Sequence, residues 1–365
     1  MKPINGSFED FNRDIENKKL VVFGASVFLQ VIASNYEELH LKERIEYIVD
    51  NAPDKIGTYY DVDGNMKPIR SMDHLLQDDL DNIVLLISPQ GYVREIYRQL
   101  SEISELDRVT CYCLPVMMAT NNDTPESGMI SKDEYRIPKI IHCFWFSGTP
   151  KDDMAKRCLE SWRKYCPDYE IKEWTADNYD LTKNRFMYDA YKARKWAYAA
   201  DYARLDTVYE YGGFYFDLDL ELTNGIDDLR YADFVAGFGP IRDVELAAFG
   251  AKKNCPLVWD MLKMYEHKNF DPGNLPLTEV QPVIMDRFMK EKGFLINGAF
   301  QNNNNMILLH RNEFSPRDSF TGEIMNVKHS YGIHHCAGSW INRSKSDADR
   351  HSEMKEMISI FSCGD

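Results

Sequence analysis

No stretch of the 365 residues is apolar for long enough to span a bilayer. The opening MKPINGSFEDFNRD carries no apolar run and no signal-peptide pattern. Positive charge is in short supply. Lys and Arg number 43 against 58 Asp and Glu, a formal net charge of −15. That balance argues against nonspecific nucleic-acid binding and against a broad patch for anionic lipid. The eight cysteines are scattered, with no CxxC pair, so neither a disulfide framework nor a zinc knuckle is expected. Cys111 and Cys113 share a strand face but lack partner ligands. Reduced thiols and a cytoplasmic location are the expectation, with the inner membrane face as an optional station.

The chain is well supplied with core material. Hydrophobic residues make up 44% and aromatic residues 13%, ample for packed cores, and the length suggests two domains. In the first third, apolar strands are expected at residues 20–23, 47–50, 83–87 and 111–114. Helices are expected at 27–39 and 91–104. Such alternation implies a parallel sheet covered by helices. The first turn and Asp50 after the second strand echo half of a dinucleotide-binding fold. Gly24-Ala25-Ser26-Val27-Phe28-Leu29 is not GxGxxG, however. Phe28 and Leu29 stand where small residues let a pyrophosphate approach. The module resembles the small Rossmann-like domains appended to bacterial sugar-transfer enzymes, with docking, dimerisation or an unidentified ligand as its role.

Residues 119–136 are polar and turn-rich and read as a linker. The division expected is 1–118 for the accessory domain, 119–136 for the linker, 137–345 for a catalytic domain and 346–365 for a C-terminal helix. In that last helix Met354, Met357, Ile358 and Phe361 fall at helical spacing. They suit docking against protein, or alternatively a peripheral membrane contact.

Residues 197–222 carry the chemistry. An Ala-rich helix leads to Gly212-Gly213 and then to an apolar strand ending in Asp217-Leu218-Asp219. On an extended chain Tyr215, Asp217, Asp219 and Glu221 share one face, with Phe214, Phe216 and Leu218 on the other. Paired carboxylates repel, and a hard divalent cation relieves that repulsion and bridges to a diphosphate. Asp201 and Arg204 lie on one helical stripe with Ala197 and Val208, close enough to pair. A structural ion pair at a helix–sheet junction is the plain alternative. Gly212 suits the helix C-terminus.

Together, Asp201-x-x-Arg204 and Gly212-Gly213-x-Tyr215-x-Asp217-x-Asp219 resemble the sugar-binding signature of glycosyltransferase family 32. Two further segments are similar to that family. One is IPKIIHCFWFSG (137–148), where the resemblance implies a nucleotide-base pocket near Phe144 and Trp145. The other is YGIHHCAGSW (331–340), where the family's His-x-x-x-x-Ser-Trp maps to His334, Ser339 and Trp340, with His335 as a shifted alternative. Ala247 stands where the family often has Asn, and its Thr-Gly-Pro is loosened here to Thr278 through Pro282. Thr278 and Gln281 read equally as a capping box.

The resemblance implies a GT-A-type α/β catalytic domain and a retaining transferase. Mn²⁺ or Mg²⁺ would be held by Asp217, Asp219 and His334. The donor would be a nucleotide sugar, UDP ahead of GDP, gripped by Asp201 and Arg204. Tyr215, Ser339 and Trp340 would line the nucleotide site. The acceptor implied is a glycan or lipid-linked glycan in surface polysaccharide synthesis, and self-association is open. A toxin-like transferase acting on protein, and an NAD-binding oxidoreductase or sensor run by the N-terminal module, are the competing readings.

Overall fold

A computed structural model describes residues 1–121, 128–271, 281–325, 330–337 and 346–363. It divides into two compact units. One comprises residues 1–124, 319–322 and 344–365, the other 125–318 and 323–343. Each is an α/β unit with parallel strands, the class the sequence implies.

In the first unit the runs LVVF, YIV and IVLLI become the buried strands Lys19–Phe23, Ile45–Val49 and Ile83–Ile87. Runs apolar on both faces demand cover on both faces, which is why they pair in parallel and carry helices. The sheet order is Lys2–Pro3, Thr110–Cys113, Ile83–Ile87, Lys19–Phe23, Ile45–Val49, Asn65–Arg70, Tyr59–Val62. Only the last pair is antiparallel. Each expected strand and helix is present, with ends shifted. The helix expected at 27–39 stops at Asn35, and a 3-10 turn covers Glu37–Leu39. The edge hairpin 59–70 is an addition. It turns on Asp63 and Gly64, both with positive φ. The helix Asp347–Ser362 belongs to this unit, and Met354, Met357 and Phe361 are buried. The stripe that suited a membrane is therefore turned inward. No helix among the described residues is long and apolar enough to cross a membrane. All eight cysteines are unpaired, and six are buried.

The second unit holds a seven-stranded mixed sheet. Its order is Gln301–Asn303, Met306–Leu309, Phe234–Phe238, Val244–Ala251, Gly213–Phe216, Ile140–Phe144, Glu170–Trp174. Val244–Ala251 runs antiparallel to both neighbours. Phe214 and Phe216 pack into one apolar layer with Trp162 of the helix Asp153–Tyr165. Tyr215 points into the other, beneath the helix Trp196–Tyr211. The alternation expected along this strand thus holds through Phe216.

The joint between that helix and the strand is fixed by shape. Gly212 has φ 69° and Gly213 φ 105°. A Cβ on Gly212 would lie 2.8 Å from the Lys253 backbone nitrogen, and one on Gly213 would lie 2.7 Å from the Ile140 carbonyl oxygen. Only glycine meets both demands. His142, fully buried in the adjacent strand, ties the joint down. Its Nε2 lies 2.9 Å from the Gly212 carbonyl, and its Nδ1 lies 3.1 Å from the Trp174 indole nitrogen. A carbonyl only accepts and an indole only donates. The imidazole is therefore neutral, with its proton on Nε2. Burial holds its pKa down at about 4, against the usual 6.5.

That shift sets an acid limit. The unfolded chain takes up this proton at a higher pH than the folded chain, so the contribution is complete above 6.5. It is lost as pH falls through about 4. Integrated over the gap it amounts to about 3 kcal/mol. Urea unfolding of wild type and His142→Gln between pH 7 and 4 is expected to show the wild type losing that much relative to the variant. Parallel pH profiles would remove His142 from the account.

Candidate active site

The strand Gly213–Phe216 ends one residue before the acids. Asp217 extends the ladder by a single bond, its N–H donating to the Ala247 carbonyl at 2.8 Å. The chain then turns, with Leu220 N–H donating to the Asp217 carbonyl at 2.9 Å. Asp217 and Asp219 are therefore not two positions of one extended strand, as the sequence implied. They flank a tight turn that leads into a second strand, Leu220–Leu222. Leu218 within the turn still packs against the apolar layer around Trp162. The turn still brings the two carboxylates together.

A distant segment completes the cluster. Leu220–Leu222 pairs antiparallel with Gly332–His334, with Leu220 opposite His334. His335 N–H donates to the Asp219 carbonyl at 2.9 Å, and Ala337 N–H donates to Asp219 Oδ2 at 2.9 Å. His334 Nε2 lies 3.4 Å from Asp219 Oδ1. Donor atoms of Asp217, Asp219 and His334 all lie within 4.8 Å of one another. Of the two adjacent histidines, His334 faces the acids. His335 turns to Glu221, with Nε2 2.9 Å from its carboxylate.

Behind His334 stands Glu245, to which the sequence reading assigned no role. His334 Nδ1 lies 3.1 Å from Glu245 Oε2, and that oxygen also accepts from the Ser315 hydroxyl at 2.7 Å. Cys336 Sγ is 3.4 Å from the same nitrogen. Glu245 begins the segment that departs from the family pattern at Ala247, so the sequence signal was visible there as a departure and not as a site.

Electrostatics follow from this packing. Burial pushes the Asp219 carboxyl up, but the His334 charge and the Ala337 N–H outweigh it and hold the pKa at about 2. Burial pushes His334 down, yet Cys336, Asp219 and Glu245 raise it well above its usual value. Those three groups draw the ring towards its protonated form. Asp217 is raised, by burial first, against the pull of Arg204. Burial lifts Asp201 to about 7, again opposed by Arg204.

Arg204 is the hinge of the other half. It is buried, with Nη2 3.3 Å from Asp201 and 3.5 Å from Asp217. Nη1 donates to the Leu246 carbonyl at 2.9 Å and reaches Gln281 Oε1 at 3.5 Å. Nε donates to the Ala200 carbonyl at 3.2 Å. Five N–H donors face five protein acceptors. The guanidinium also lies over the Tyr215 ring, 4.6 Å from its centroid. Tyr215 is buried and its hydroxyl donates to Asp217.

Of the remaining expected residues, Phe144 reaches this cluster only through Tyr215, and others lie outside the described residues. Trp145 follows the strand Ile140–Phe144, half-buried, with its indole N–H on the Thr149 carbonyl and the Lys151 ammonium 5.9 Å from its ring centroid. Phe144 is buried among Phe146, Trp174, Tyr179 and Tyr215. Ser339, Trp340 and Thr278 lie outside the described residues. Pro282 does sit in the first turn of the helix Gln281–Glu291.

Residues 152–235 match the family model described as a glycosyltransferase sugar-binding region containing a DXD motif. The match covers under a quarter of the chain and includes Asp201, Arg204, Asp217 and Asp219. By class the enzyme is a glycosyltransferase. Such a region implies a nucleotide-sugar donor, an acceptor and, as a rule, a divalent metal. No curated protein matches the chain. Among solved structures it is similar to a PaToxG glycosyltransferase, at 15% identity and TM-score 0.35, over 49% of this chain and 73% of that one. It is also similar to a glycosyltransferase involved in glycosylation of the major capsid of PBCV-1, at 11% identity and TM-score 0.31, over 59% and 98%. At these scores neither likeness carries weight.

Proposed function

We propose that the chain is a metal-dependent, retaining transferase of the family 32 type, with a GT-A-type catalytic unit. It would move a hexose from a UDP-sugar to a glycan or lipid-linked glycan in surface polysaccharide synthesis. The observation that supports this reading is the cluster that joins Asp217 and Asp219, within the matched sugar-binding region, to His334 from outside it. Two carboxylates and an imidazole suit Mn²⁺ or Mg²⁺ better than the neighbouring Glu245, His334 and Cys336 set, whose thiol favours softer ions. A bound dication supplies charge to steady the departing nucleoside diphosphate.

The protein's own groups divide the remaining work. With its Nε2 proton released, His334 would offer that nitrogen to a metal, and Glu245 would take the Nδ1–H and fix the ring's tautomer and aim. Asp201 accepts hydroxyls of the donor sugar. Arg204 is a positioning residue: Nε and Nη1 donate to protein oxygens, and Nη2 lies between Asp201 and Asp217 and keeps them at a set spacing. Retention of configuration follows from the family resemblance.

Metal-dependent release of nucleoside diphosphate from a panel of UDP- and GDP-sugars tests this reading. One UDP-hexose is expected to be consumed with Mn²⁺ and spared with EDTA. The same sugar is expected to raise the melting temperature only when metal is present. A panel with no donor consumed and no metal-dependent stabilisation overturns the reading. A second measurement addresses Glu245. Its replacement by Gln is expected to weaken Mn²⁺ binding about 10- to 100-fold, read by the metal concentration that gives half-maximal turnover. An unchanged metal requirement would remove Glu245 from the site.

A further inference from the structure

A cavity of about 450 Å³ lies wholly within the N-terminal unit. It opens at the carboxyl ends of its central parallel strands. Lys19–Phe23 has Ile45–Val49 on one side and Ile83–Ile87 on the other. The chain therefore reverses its direction of travel across the sheet at this strand. Open α/β sheets take their ligands in the crevice at that reversal.

The walls are built for a polar ligand. Asp50, which ends the second strand, is nearly buried, with 11% of its side chain exposed. Its Oδ2 accepts from Ala25 N–H at 2.9 Å and from Lys55 Nζ at 3.0 Å. Its Oδ1 accepts only from Ala52 N–H, at 2.9 Å, among the hydrogen bonds described. A carboxylate oxygen has two lone pairs, so Oδ1 retains capacity for a ligand hydroxyl. Asn51 and Gln99 exchange amide hydrogen bonds at 2.8 and 3.1 Å across the same cavity. Tyr92 lines it while 63% exposed, which leaves ring surface for a flat partner. The nine-residue helix Val27–Asn35 begins at this wall, capped by Ser26, and helix N-termini favour phosphate.

The floor excludes a dinucleotide. A Cβ on Gly24 would lie 2.3 Å from Pro89 Cγ, so proline fills the space over the glycine that a pyrophosphate would otherwise approach. The volume also sits at the lower end of the roughly 300–1,000 Å³ typical of ligand pockets. We propose that this cleft is a second ligand site, specific for a nucleoside phosphate, with the ribose diol on Asp50, the base against Tyr92 and the phosphate at the start of the helix Val27–Asn35. It stands independently of the transfer site, because all of its walls belong to the first unit.

Calorimetric titration of the full chain in EDTA tests the site, with UMP, UDP, AMP, ADP and NAD⁺ as probes. EDTA silences the metal-dependent donor site and so separates the two readings. One equivalent of a nucleoside monophosphate is expected to bind, more tightly than its diphosphate, and to bind equally to Asp219→Asn. Tyr92→Ala is expected to weaken it about tenfold through lost stacking. Asp50→Asn is expected to weaken it at least as much. Should Asp50→Asn fail to fold, the exposed Tyr92 position decides alone. No binding in EDTA overturns the proposal, as does binding indifferent to Tyr92→Ala, or NAD⁺ binding more tightly than the mononucleotides. None of these outcomes bears on metal-dependent turnover.

Discussion

Asp219→Asn is expected to lower turnover about a thousandfold, with a modest drop in the melting temperature of the metal-free protein from the lost charge pair with His334. The asymmetry follows from what the side chain does. Its Oδ2 accepts one backbone N–H, from Ala337, and an amide oxygen can do the same. Its charge faces His334 and, beside Asp217, would face the metal. Removing the charge takes away a ligand without opening a hole. It also releases His334 from one of the three groups that raise its proton affinity. Turnover on the consumed UDP-sugar, measured across a Mn²⁺ series, reads the effect. A variant within about threefold of wild type would remove Asp219 from the metal site, since losing a metal ligand costs far more. A melting curve only modestly lowered shows that the fold is intact.

Arg204→Met is expected to act in the opposite sense, on stability as much as on activity. Arg204 is the buried cation between two partly buried carboxylates. Methionine fills similar volume but leaves Asp201 and Asp217 without a counter-charge, and breaking a buried pair costs about 3–5 kcal/mol. For a unit of this size that is a fall of roughly 10 °C in melting temperature. Arg204→Lys keeps charge and loses the fork, so an intermediate fall is expected. Acid should narrow the gap. Burial already raises both carboxyls, Asp201 to about 7, and a carboxyl that has taken up a proton no longer needs the guanidinium. Scanning calorimetry of both variants at pH 8 and pH 6 checks the sign. A gap that widened on acidification would contradict the assignment of Arg204 as counter-ion.

The sequence was legible where apolar runs were continuous. Ile83–Ile87 could only be a buried strand, and the Gly212-Gly213 pair could only close a helix. The hairpin 59–70 was harder, because YYDV and NMKPIR are polar and Pro68 interrupts the pattern. Its one clear signal was Asp63-Gly64, a dipeptide suited to tight hairpin turns. Within the site, spacing placed Asp201 against Arg204 correctly, since three residues along a helix fix a distance. Spacing failed for Asp217 and Asp219, where a two-residue strand period was assumed and a turn intervenes. Glu245 was out of reach for a different reason. Its role depends on Val244–Ala251 lying beside Gly213–Phe216, and a pairing between strands is not a local property of either. The N-terminal cavity was half legible. Asp50 was marked as an acid after the second strand, but Pro89 over Gly24 comes from a third strand's loop.

The pairing of Leu220–Leu222 with Gly332–His334 also sets an order of events during synthesis. Both acids of the cluster leave the ribosome more than a hundred residues before the imidazole that joins them. At about 5–20 residues per second, that interval is roughly ten seconds. During it the helix Trp196–Tyr211 and its strand have their local partners, while the turn at Leu218 waits for its own. The cluster of two carboxylates and an imidazole is therefore among the last features the growing chain acquires. Nascent protein would carry the Asp201–Arg204 pair in place before His334 reaches the two acids.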